Sequence, residues 1–184
     1  MSCVPLKRVC PDHSYWKVRV RAVRFYEKFS NEWPPKLTRF EFIMLDEENV
    51  AMEAVIPPKW IHEQRAKLTE ATIYTIQYFE VCNARIIYRA IDHPYMARFT
   101  KHTKINQVTA VPPNFPLYAC SITPFQVLRE RMGNKEQMSD AMGLFTKCSH
   151  ISKQSTRNGI QSLVNVHITD GRDNAVLALW GFTC

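Results

Sequence analysis

Residues 16–26, WKVRVRAVRFY, alternate apolar and polar positions: Trp16, Val18, Val20 and Ala22 fall on one side, Lys17, Arg19 and Arg21 on the other. A period of two is the signature of a strand with one buried face. Phe40, Phe42 and Met44 repeat it over RFEFIMLD (39–46), and VAMEAVI (50–56) follows at hairpin distance across Asp46 and EEN. The period then changes. PPKWIHEQRAKL (57–68) is rich in helix formers and opens on prolines, which suit a first helical turn, with Trp60, Ile61 and Leu68 as anchors. TIYTIQYFEV (72–81) and RIIYRAI (85–91) return to strand character and read as a second hairpin across Cys82–Ala84.

The order strand, strand, strand, helix, strand, strand predicts an OB-fold, a five-stranded Greek-key barrel with a helix between its third and fourth strands. An immunoglobulin-like sandwich would need about seven strands and no such helix. Prolines punctuate the chain at WPPK (33–36), IPPKW (56–60) and VPPNFP (111–116), and the last reads as a linker, since proline-rich extended chain spaces modules apart. The expected domains are a first OB-fold over 14–108, a linker over 109–117 and a partial second OB-fold over 118–184. In that second unit 120–131 is a lead-in with one helical turn. Strands are expected at 138–152, 161–170 and 174–181, the last two joined by the tight turn DGRD, with no fourth or fifth strand. The fold class is all-β with one or two short helices.

Composition changes this picture little. The chain has 184 residues, 46% hydrophobic and 22% charged, within the globular range. Six scattered cysteines without a CxxC pair fit reduced thiols in an intracellular protein. Cys10 and His13 are two ligands where a zinc site needs four, so no metal or cofactor is expected. No apolar run approaches the roughly 18 residues that span a bilayer, so no membrane partner is expected.

The net charge of +7 does add something, because it favours an anionic partner. Lys17, Arg19 and Arg21 project from one face of the first strand with Arg24 just beyond, a stripe able to follow a phosphate backbone and equally well a solvated strand face. Tyr88, bracketed by Arg85 and Arg89, and Trp180 at the end of the last strand are candidate stacking rings. Tyr88 is also readable as a core tyrosine at the barrel edge. Phosphate-loop, zinc-protease, nucleophile-elbow and paired-carboxylate motifs are all missing, and His93, His102, His150 and His167 stand isolated. The expectation is a non-enzymatic protein.

The segments SYWKVRVRAVRFYE, FIMLDEENVAMEAVIPPKW, RAIDHPYMARF and ITPF…LALWG resemble, in order over 14–184, the large subunit of replication protein A, and above all its plant relatives, some carried by mobile elements. The resemblance implies tandem OB-folds that bind single-stranded DNA, with basic residues and an aromatic on strands three and five. It places Arg21 at a basic contact of strand one, Tyr88 at the strand-five stacking position and Trp180 at the strand-three stacking position of the second fold. One departure is plain: no aromatic lies between Met52 and Pro58, where the first fold's strand-three ring belongs. The resemblance further implies a nuclear single-stranded DNA-binding protein acting in replication, repair or recombination, with DNA and other replication protein A subunits as partners. The open alternatives are an OB-fold protein-interaction module or a truncated, mobile-element-derived remnant with little DNA binding. The second unit is expected either to pack against the first or to self-associate.

Overall fold

The computed structural model describes residues 2–30, 32–157 and 159–181. Its first strand, β1 (Lys17–Phe29), pairs antiparallel with β2 (Leu37–Leu45), which pairs in turn with β3 (Ala51–Ile56). The β2–β3 turn is built on Asp46, whose carboxylate accepts the N–H groups of Glu48 and Val50 at 3.0 and 2.9 Å and that of Leu6 at 2.7 Å. Helix α1 (Pro58–Arg65) starts on the proline pair, because proline fixes the backbone for a first turn and lacks only a donor the helix would leave unused. β4 (Ile73–Gln77) then pairs with β1, and β5 (Glu80–Asn83) forms a hairpin with β6 (Tyr95–Arg98). β6 lies parallel to β3, and β7 (Lys104–Gln107) pairs with β4.

The sheet order is β5-β6-β3-β2-β1-β4-β7, and only Tyr78 and Phe79 separate β4 from β5. The sheet therefore closes on itself. β4 with β5 makes the fourth barrel strand and β6 with β7 the fifth, which is the OB-fold. The alternation read from the sequence sets its interior: Val18, Val20 and Ala22 face Phe40, Phe42 and Met44, then Met52, Ala54 and Ile56, with Tyr74, Ile76, Phe79 and Phe99 closing the ring. Phe25 meets Phe40 edge-on at 5.0 Å and Phe42 meets Phe99 at 5.6 Å, the geometry aromatic rings prefer. Each fully buried side chain of this kind is worth about 1.5–3 kcal/mol.

In and beside the barrel two expectations need correction. RIIYRAI (85–91) is not a strand: it is an irregular arm inside the long β5–β6 connection, and Ile86 and Ile87 are exposed. Its β-like composition is overridden by tertiary bonds from Arg85 and Ala90 to Glu41 and Glu53. The segment 109–117 is not a free spacer either, since Phe115 is buried and the carbonyls of Phe115 and Pro116 are bonded to Arg21.

The chain divides into two compact units, Met1–Cys120 with Lys135–Met138, and Ser121–Asn134 with Ser139–Cys184. In the second unit β10 (Gly159–Thr169) is central and pairs with β8 (Leu144–Cys148), β9 (Ser152–Thr156) and β11 (Asn174–Gly181). Of the strand expected over 138–152 only 144–148 is formed, as β8; β9 is a further strand that the sequence reading did not expect, and the break between the two is held by Ser149, which exchanges hydrogen bonds with Asn165. Helix α2 (Phe125–Glu130) buries Phe125 near Ile168. Gly143 permits this, because a Cβ there would stand 2.9 Å from the Phe125 ring and 3.0 Å from the Thr169 carbonyl. In the β10–β11 turn the backbone N–H groups of Asp173 and Arg172 hold the Asp170 carboxyl below its ordinary range. Phe145, Val176, Leu179 and Trp180 stay exposed.

Candidate nucleic-acid interface

The basic stripe of β1 is largely absorbed by the protein itself. Arg21 is buried, with its Nε donating to the Pro116 carbonyl at 2.7 Å, Nη1 to Ala71 at 2.6 Å and Nη2 to Phe115 at 3.3 Å. Its guanidinium also lies 5.5 Å from the centre of the Phe115 ring. Arg21 is therefore a clamp for the returning chain and not a phosphate contact, which corrects the sequence reading. Arg19 is held by Glu47 at 2.8 Å. Arg24 sits in a bulge of β1 at φ 54° and donates to the Ala119 carbonyl at 3.0 Å, so the parity of the stripe breaks before it. Lys17 is half-buried.

Arg85, Tyr88 and Arg89 fall on the arm and not on a fifth strand. Arg85 bridges Glu53 at 2.8 Å and Glu41 at 3.0 Å. Burial works against its charge, but the two carboxylates outweigh that and hold the guanidinium above its ordinary value. Arg89 is 3.7 Å from Asp92, and its backbone is bonded to Glu136 and Met138. Tyr88, at φ 55°, keeps its ring exposed. Trp180 lies on β11 opposite Leu163 and is 52% exposed, on the face it shares with Val176, Ala178, Asn165 and His167. The structure brings Arg85, Tyr88 and Arg89 together on one arm; Trp180 belongs to the other unit.

What the barrel assembles instead is a groove of about 1210 Å³ where Tyr15, the start of α1, the β4–β5 kink and the β6–β7 turn meet. The kink occurs at Tyr78, whose backbone takes φ 60° and whose carbonyl accepts the hydroxyl of Thr103 at 3.0 Å. Thr103 also accepts the N–H of Thr100 at 2.9 Å, and Gln64 from α1 donates to the Thr100 carbonyl at 2.6 Å. These bonds tie the turn that carries Lys101 and His102 to the helix. Lys59 Nζ stands 5.0 Å from the centre of the Trp60 ring and Lys104 Nζ 5.4 Å from that of Tyr78. Such contacts place a cation beside an aromatic face. Lys59, Arg98, Lys101 and Lys104 are exposed, and among the described residues none is in an ion pair; Glu80 is the one carboxylate lining the groove.

Rings interleaved with cations suit a flexible chain of phosphates and unstacked bases. Sequence reasoning misses these residues because they are scattered from Tyr15 to Lys104, and it assigns Trp60 as a helix anchor. The run RFTKHTK (98–104), with four basic side chains in seven positions, is the available signal.

The model of a family described as a domain of unknown function, DUF223, matches residues 7–131. No curated protein matches the chain. Among solved structures, a replication protein A heterotrimer bound to single-stranded DNA superposes with a TM-score of 0.62 at 18% identity, over 97% of this chain and 41% of that one. This chain thus spans about two fifths of that one's length. DNA-binding domain A of S. cerevisiae replication protein A is 16% identical over 60% of this chain and 96% of its own, with a TM-score of 0.46. A murine DNA-binding protein bound with double-stranded DNA gives 11% identity over 90% and 74%, with a TM-score of 0.43. At these identities the first likeness speaks to the fold, in agreement with the closed barrel of the first unit.

Proposed function

The chain belongs to the DUF223 family, and on that premise we propose that it binds single-stranded DNA through the groove between α1 and the β6–β7 turn. One observation carries the reading: among the described residues, Lys59, Arg98, Lys101 and Lys104 stand outside any ion pair around Tyr15, Trp60 and Tyr78. Such cations are available to replace the counterions of a phosphate chain, and the rings offer every base a stacking surface. The sequence resemblance to the large subunit of replication protein A supports the same partner. Following it, we place the protein in the nucleus, in replication, repair or recombination, with other replication protein A subunits as partners.

The test is fluorescence anisotropy of a labelled oligothymidylate at two salt concentrations. Four phosphate contacts at about −0.7 each give an expected slope of about −3 in log affinity against log salt. Absence of binding at low salt would refute the proposal.

A further inference from the structure

On the outer side of β2 and β3, opposite the core, lie Glu41, Ile43 and Leu45 beside Ala51, Glu53 and Val55, aligned by the register Glu41↔Val55, Ile43↔Glu53 and Leu45↔Ala51. In OB-folds the faces of strands two and three take oligonucleotides. Here that face is both acidic and occupied. The arm 84–91 lies across it: Arg85 bridges Glu41 and Glu53, the backbone N–H of Ala90 donates to the second oxygen of Glu53, and Ala90 and Ile91 pack against the cluster of Val23, Ile43, Leu45 and Ala119. The arm's far side is paired with Lys135–Met138 through Tyr88 and Arg89.

We propose that the arm is a latched cover, held shut by the bridge from Arg85 to Glu41 and Glu53, which keeps the β2–β3 face from single-stranded DNA. The proposal rests on the reading that this protein binds such DNA at all. Three features show an arm held at a cost. Tyr88 takes a left-handed backbone conformation that a tyrosine seldom adopts. The Nε atoms of Arg85 and Arg89 are buried without acceptors. Ile86 and Ile87 face solvent, so of the arm's apolar side chains only Ala90 and Ile91 are packed inward. On the side of the barrel the bridge holds the arm together with the Ala90 N–H, both of them on Glu53, which is almost fully buried beneath; on the far side the backbone bonds of Tyr88 and Arg89 to 135–138 hold it. Without the guanidinium the buried Glu53 would lose its counter-charge, Glu41 keeping its pair with Arg39 at 2.6 Å, and hydration of Glu53 would draw the arm off the face.

Arg85→Met decides the matter, because two readings of Arg85 give opposite signs. If Arg85 is a phosphate contact, the variant binds oligothymidylate more weakly. If it is the latch, the variant loses a cation and still binds tighter, by at least about five-fold, the lower end of two-state coupling. Hydrogen exchange in the same proteins should show faster exchange over 84–91 with 39–45 unchanged. Weaker or equal binding, or an arm as protected as in the wild type, overturns the latch while leaving the groove untouched. Binding by the variant with none by the wild type supports the latch and refutes the groove, and an arm that opens without gaining DNA overturns the cover. Should Arg85→Met fail to fold, the pair Glu41→Gln and Glu53→Gln removes the bridge and leaves the unpaired charge on Arg85, which is 31% exposed, and not on the buried Glu53; faster exchange over 84–91 is again the supporting result.

Discussion

Two basic regions of the first unit differ in what their charges touch. Along β1, Arg19 is paired with Glu47, and Arg21 and Arg24 donate to backbone carbonyls of the chain that returns at 115–119. Around the groove, Lys59, Lys101 and Lys104 reach no carboxylate among the described residues; two of them lie against aromatic rings. A guanidinium offers five donors in a fixed fork and is readily absorbed by carbonyls, whereas a lysine is a mobile point charge. Cations adjacent in sequence along a central strand are thus the ones the fold can use for itself. Those gathered from separate loops are left for a partner.

Arg21→Ala separates the two regions most sharply. Removing a buried guanidinium that donates to the carbonyls of Ala71, Phe115 and Pro116 should destabilise the first unit by about 3 kcal/mol, since hydrogen bonds from a charged group contribute roughly 1.5–3 kcal/mol each. Urea denaturation followed by tryptophan fluorescence measures it. An unchanged midpoint together with a shallower salt slope would make β1 the DNA contact after all. Tyr15→Ala is the next largest effect, a loss of roughly 1–3 kcal/mol of binding to oligothymidylate with the salt slope preserved, because stacking carries no counterions. Tyr15 is 63% exposed, so the variant's melting temperature should be that of the wild type. The smallest effect is expected of Tyr88→Ala. An exposed ring on the arm should change stability by no more than about 0.5 kcal/mol in the same denaturation, whereas a core tyrosine would unfold the barrel.

The barrel was legible where one face of a strand meets the core. The alternation of Val18, Val20 and Ala22, then Phe40, Phe42 and Met44, reappears intact in the interior, and the helix begins at its prolines. It was illegible at RIIYRAI, where apolar residues and a tyrosine imitate a strand while Glu41 and Glu53, distant in sequence, pull Arg85 and Ala90 onto the sheet. The side on which Arg19 and Arg21 project was readable; that 115–119 would cover it was not, because a proline-rich stretch gives no sign of where it docks. The groove was hidden for a related reason. Its rings come from three separate places, and its turn depends on threonine hydroxyls capping a kink at Tyr78. In the second unit the strands of 161–170 and 174–181 are found as β10 and β11, joined by the turn that DGRD announced.

The salt dependence of oligothymidylate binding, measured side by side for the wild type, for Lys59→Ala/Lys101→Ala/Lys104→Ala and for Arg19→Ala/Arg24→Ala, tests most directly which cations meet DNA. At about −0.7 per phosphate contact, the slope should fall from about −3 to about −1 in the groove variant and stay near −3 in the strand variant. A slope that holds in the groove variant and collapses in the strand variant would contradict this assignment of the site.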